Sequence, residues 1–145
     1  MIDKKDLRIG NSVMLIDRSN AVHLPIEKPF VIVELKTFTV ELAPLDIPLH
    51  KVENFIEASY ADLEPIPLTE ELLVKCGFQY LNGRTDGELT LDILHYEFDF
   101  VEGELVTKSR YEEVYKREKL PHIKSLHQLQ NLYYALTKQE LTIEI

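Results

Sequence analysis

Pro65 and Pro67 stand one residue apart in Glu64-Pro65-Ile66-Pro67-Leu68-Thr69, and they forbid a helix from running through the middle of this 145-residue chain. Proline lacks the amide that a helix interior needs and drives the preceding residue toward extended backbone, so the stretch is a connector. The sequence before it reads as short strands alone, and the sequence after it mixes strands with helices. The expected class is therefore α+β, in a first unit over residues 1–64 and a second over 65–145. With 45% hydrophobic residues the chain can bury one core or two small ones.

In the first unit, Val13-Met14-Leu15-Ile16 and Phe30-Val31-Ile32-Val33 are compact β-branched and aromatic runs. From Leu35 to Leu42 apolar and polar residues alternate, which predicts Phe38, Val40 and Leu42 on one face. Gly10-Asn11, Ser19-Asn20 and the prolines at 25, 29, 44 and 48 interrupt the runs at the spacing of a meander. A small, bent, antiparallel β-barrel-like unit is expected.

In the second unit, Thr69 can cap a helix over Glu70–Cys76 whose acidic start and Lys75 end suit the helix dipole, with Gly77 to stop it. Asn82-Gly83 and Glu102-Gly103 are turn signals, the latter joining Phe98–Val101 to Glu104–Val106. Leu89, Leu91 and Ile93 share one parity, whereas Leu94, Tyr96, Phe98 and Phe100 share the other, which predicts a bulge or break at Ile93-Leu94. Tyr111, Val114 and Tyr115, with charge pairs Glu112–Lys116 and Glu113–Arg117, suggest a short helix, a strand being the alternative. Ser125 and Gln128 form a capping box ahead of the stripe Leu126, Leu129, Leu132, Tyr133 and Leu136. Leu141 to Ile145 alternates like a last strand. The second unit is thus expected to be an antiparallel sheet with two or three helices.

Composition removes several chemistries. Sixteen Lys and Arg stand against 25 Asp and Glu, a net charge of −9, which is poorly suited to gripping phosphate backbones. The one basic stretch, Lys108, Arg110, Lys116, Arg117, Lys119 and Lys124, is diluted by Glu112, Glu113 and Glu118, so weak or no binding to duplex DNA is expected. The five glycines form no phosphate loop, and His122 and His127 lack the spacing of a zinc helix. No cofactor or metal is called for. Cys76 is the single cysteine and sits at the C-terminal end of its helix, where the dipole discourages a thiolate, so a core position is expected for it. The absence of a disulfide, of a signal-peptide core and of a membrane-length apolar run points to the cytoplasm.

Two groups of residues remain as candidate binding surfaces. From Asp86 to Glu104 there are seven acids and no Lys or Arg, and Glu97 and Asp99 with His95 are expected on an outer strand face. Such a face is a solvated surface, or it binds a divalent cation or a basic partner. The other group is the polar side of the Ser125 helix, Gln128, Gln130, Asn131 and Tyr134, expected to face solvent and able to present a recognition surface, with His127 in the first turn as a further candidate, read as a structural or surface residue, the alternative being an acid or base. The leading expectation is a noncatalytic binding or adaptor protein whose partner is another protein, a basic one. The competing expectation is a metal-dependent hydrolase or nuclease-like enzyme in which Asp92, Glu97, Asp99 and His95 hold a metal and an activated water. Strand parity, with the phase change at Ile93-Leu94, separates Asp92 from Glu97 and Asp99, which counts against that enzyme.

Three motifs, Asp6-Leu7-Arg8-Ile9-Gly10-Asn11-Ser12-Val13, Glu64-Pro65-Ile66-Pro67-Leu68-Thr69-Glu70-Glu71-Leu72-Leu73-Val74-Lys75-Cys76-Gly77-Phe78 and Leu126-His127-Gln128-Leu129-Gln130-Asn131-Leu132-Tyr133-Tyr134-Ala135-Leu136-Thr137, occur in this order along the chain. Together they resemble a family of short uncharacterised proteins of Bacteroides-type bacteria and their phages and mobile elements. Where that family usually carries glycine after the last helix, this chain has Lys138. The resemblance implies a cytoplasmic accessory protein of a bacterium or phage and transfers no catalytic residue. Each motif also reads as a folding signal: a turn into a strand, a connector with a capped helix, and a capped amphipathic helix.

Overall fold

The computed structural model describes residues 2–16, 28–81, 88–93, 96–109 and 117–144. Among them are two five-stranded antiparallel sheets and two α-helices, an α+β fold. The chain divides into two compact units, Met1–Ile66 with Ser125–Asn131, and Pro67–Lys124 with Leu132–Ile145. The division falls after Ile66, inside the proline connector, and residues 125–131, expected in the second unit, belong to the first.

The first unit contains β1 (Ser12–Leu15), β2 (Phe30–Leu35), β3 (Thr39–Pro44), β4 (Ile56–Ser59) and β5 (Leu63–Glu64), in the order β4-β3-β2-β1-β5. β4 and β5 lie at opposite ends of that order, yet only the 3₁₀ turn Tyr60–Asp62 separates them in sequence. Four strand steps in a flat sheet would set them about 19 Å apart. One 3₁₀ turn advances only about 6 Å, so the sheet has to curl. A register shift between Ile32 and Glu34 on β2 adds the bend of a β-bulge. The unit is bent as expected, but β4 and β5 do not pair, so among the described residues the sheet is open and the expected barrel does not close.

A second correction concerns Phe38. Lys36 N–H donates to Thr39 O at 2.9 Å, closing a turn between β2 and β3. Val40 and Leu42 are buried as expected, whereas Phe38 lies in that turn and is 83% exposed. Alternation of residue type runs through a tight turn unbroken, so period alone cannot show where one strand ends and the next begins. The core gathers Leu7, Val13, Phe30, Ile32, Val40, Leu42 and Leu63.

The second unit opens with α1 (Glu70–Lys75), where Leu72 N–H donates to the Thr69 hydroxyl at 3.2 Å. Gly77 takes φ +96° beyond it, a left-handed conformation that favours glycine. The sheet runs β10 (Arg117–Lys119), β9 (Glu104–Ser109), β8 (Tyr96–Val101), β7 (Leu89–Ile93), β6 (Gln79–Tyr80). Glu102 and Gly103 both have positive φ, the mark of a two-residue hairpin turn of the primed type. The break expected at Ile93-Leu94 is a reversal of the chain: Ile93 pairs with Tyr96, and β7 and β8 are antiparallel partners. Leu89, Ile93, Phe98, Phe100 and Leu105 are buried, and α1 packs against β7.

Three further expectations change or fall outside the described residues. Arg117–Lys119 is a strand paired with β9, so the expected helix does not reach Arg117, and Arg110–Lys116 lies outside the described residues. Side-chain charge pairs on a helix are worth a few tenths of a kcal/mol, too little to outweigh a ladder. Asn82-Gly83 also lies outside. Residues 141–144 form no strand; Leu141 is buried, and Glu144 N–H donates to Lys75 O at 2.8 Å, satisfying a carbonyl left over at the end of α1. The last helix, α2 (Leu126–Thr137), begins at the expected place.

Candidate functional site

The polar side chains at the start of α2 are bound inward. Gln128 Oε1 accepts from Ser125 N–H at 3.1 Å, the return bond of the capping box. Gln130, 2% exposed, accepts from Ser12 N–H at 2.7 Å and donates to Ser12 Oγ at 3.2 Å and Gly10 O at 3.3 Å. Asn131 accepts from Asn11 Nδ2 at 2.8 Å and Arg8 Nε at 3.3 Å and donates to Asp6 O at 2.7 Å. The first and third sequence motifs, some 120 residues apart, thus recognise each other within the first unit. His127 is buried with Nδ1 3.0 Å from Ser125 Oγ. Burial holds its imidazole below the usual value, with the Asp6 carboxylate opposing the shift.

A solvated polar face is therefore corrected for Gln130 and Asn131, and His127, expected in a structural or surface role, is buried. Helical spacing shows which residues share a side. It does not show that the Gly10 turn brings unsatisfied backbone groups to that side, and those groups are what make glutamine and asparagine suitable there.

The acidic strands also differ from expectation. Because the chain reverses between β7 and β8, Asp92 pairs directly with Glu97, and Thr90 with Asp99. The three carboxylates share one face, so the parity objection to their convergence does not hold. They are not a bare acidic surface, however. Lys108 on β9 pairs with Glu97 in the ladder, and its Nζ lies 2.9 Å from Glu97 Oε2 and 3.5 Å from Asp99 Oδ2. Asp99 is 1% exposed. His95 lies outside the described residues. Among the described residues no group of three or more His, Cys, Asp and Glu side chains is placed to hold a metal ion.

Lys108 was a candidate phosphate contact; together with Lys119, whose Nζ is 3.6 Å from Glu104 Oε2, it is engaged with a carboxylate. Cys76 is buried as expected, and burial pushes its thiol up to about 11, far from a reactive thiolate.

Sequence reasoning passed over the stretch that follows β3. Ile47, Leu49, Phe55 and Ile56 are exposed on the first unit, as is Phe38. A signal was present: Phe55 and Ile56 are adjacent at the entrance to a strand, where neighbours point to opposite faces, so a sheet covered on one side must leave one of them outside. Comparison with protein-family models, curated proteins and solved structures finds no match to the chain.

Proposed function

We propose that this chain is a noncatalytic binding module that recognises another protein through the apolar surface of residues 47–56. The observation that supports it is the exposure of Ile47, Leu49, Phe55 and Ile56 within one short stretch, a concentration of large apolar side chains that leaves water on binding. Scattered single apolar residues need no explanation; several in one connector and the strand it enters do. The side chains first considered as binding groups, Gln130, Asn131 and Asp99, are engaged inside the protein, which moves the reading of the surface away from them. The single cysteine suits a reducing cytoplasm, and no helix among the described residues is long and apolar enough to cross a membrane.

The metal-dependent reading draws support from the shared face of Asp92, Glu97 and Asp99. Against it, the Lys108 ammonium occupies the space between two of those carboxylates, where a metal ion would need to sit.

The test is quantitative affinity capture, for which the family resemblance makes a Bacteroides-type bacterium the natural lysate. A Phe55→Ser, Ile56→Ser double variant that keeps its circular dichroism spectrum is expected to lose proteins that the unaltered chain retains. A chain that retains none, or a double variant that retains all, contradicts the proposal.

A further inference from the structure

We propose that the outer edge of β4 takes up an extended segment of the partner protein, one that alternates aliphatic with basic side chains and adds to the sheet as a further strand. This specifies the partner of the binding-module reading and rests on it. β4 ends the strand order and pairs only with β3, and among the described residues no backbone hydrogen bond leaves its outer side. Ile56, Glu57 and Ser59 are exposed, while Ala58 turns to the core. Four residues of edge, about 13 Å, offer main-chain groups to an added strand; Ile56, on the face it shares with Ala58, offers apolar contact to the aliphatic side chains of that strand, while Glu57 faces its basic ones.

Charge decides what kind of segment fits. Edges are commonly blunted by lysine, as β10 is with Lys119. The acidic counterpart on β4 is Glu57, which accepts from the Thr39 hydroxyl at 2.6 Å and lies 3.9 Å from Lys36 Nζ. From Lys36 to Glu64 the sequence holds six acids, Glu41, Asp46, Glu53, Glu57, Asp62 and Glu64, against Lys36, which pairs with Glu41 and Glu57, and Lys51, an excess of four negative charges. That field attracts a basic strand, and it repels a second copy of this chain, whose net charge is −9.

The test uses the full-length isotope-labelled chain and a set of synthetic peptides alternating valine or isoleucine with lysine or arginine. The expected result is saturable binding with at least tenfold slower hydrogen exchange at β4 amides. Binding should weaken at least tenfold in Glu57→Lys and vanish when alternate peptide amides are N-methylated, which blocks ladder bonds while keeping charge. The proposal is overturned if none of the basic peptides binds, if acidic counterparts bind equally, if β4 amides are unaffected on binding, or if they are already protected by self-association of the free protein. Cellular partners lost in the Phe55→Ser, Ile56→Ser variant, with β4 unprotected by every peptide, would overturn strand addition alone. The binding-module reading fails separately, if that variant keeps all its partners.

Discussion

Gln130 meets the Gly10–Ser12 turn with three hydrogen bonds made from a buried position. Replacing it by alanine leaves Ser12 N–H buried without its acceptor and opens a void, a loss of about 2–3 kcal/mol. Urea unfolding of Gln130→Ala is expected to show that drop in midpoint with an unchanged slope, whereas a change within a few tenths of a kcal/mol would show that water replaces the amide at no cost. His127 gives a pH dependence of definite sign. Its folded pKa lies below the unfolded value because burial disfavours the imidazolium. Stability is therefore complete above about pH 6.5 and falls as the pH is lowered through and below that unfolded value toward the folded one. Unfolding midpoints measured from pH 7.5 to 5 should fall more steeply for the unaltered chain than for His127→Gln; equal slopes would remove His127 as the titrating group. The role of Gln130 was not legible from residue type, since a polar residue on a helix looks the same whether its partner is water or a distant turn.

Elements were legible where their signals are local. The α1 cap, its glycine stop, the Glu102-Gly103 turn and the start of α2 each lie within a few residues of the backbone groups they satisfy. Elements that depend on distant partners were not. The last residues alternate like a strand but bind a helix end through Glu144, and Arg117–Lys119 is a strand because β9 is there to pair with it. The end of α2 carries a testable strain: Lys138 has φ +59°, a left-handed conformation that favours glycine. Lys138→Gly removes the Cβ clash of a left-handed residue and should raise stability by about 0.5–1 kcal/mol in thermal or urea unfolding. A destabilised variant would contradict this account of the helix end. On the sheet, Lys108 holds together two carboxylates that adjoin on β8, so Lys108→Met is expected to cost about 2–4 kcal/mol. A neutral effect would mean that the buried Asp99 carboxylate draws little from this ion pair.

Taken whole, the chain puts its central boundary where the prolines predict a connector, after Ile66. What the sequence could not reveal is that residues 125–131 complete the first unit, because completion is a pairing of Gln130 and Asn131 with a turn some 120 residues earlier. A fragment ending at Ile66 lacks those partners and is expected to show poor amide dispersion in its nuclear magnetic resonance spectrum, since a small core has little stability to spare. A well-dispersed spectrum would contradict the role given to residues 125–131. The exposed apolar surface was hidden for a related reason: Phe38, Phe55 and Ile56 carry the same strand-like signals as core residues, and only the curl and turns of the sheet leave them outside. The most direct measurement is therefore site-specific photo-crosslinking in living cells, with a photoreactive phenylalanine analogue at Phe55 and, as control, at the exposed Gln139. The binding-module account predicts a discrete protein adduct at position 55 that is missing at position 139, and identical, adduct-free patterns at the two positions would contradict it.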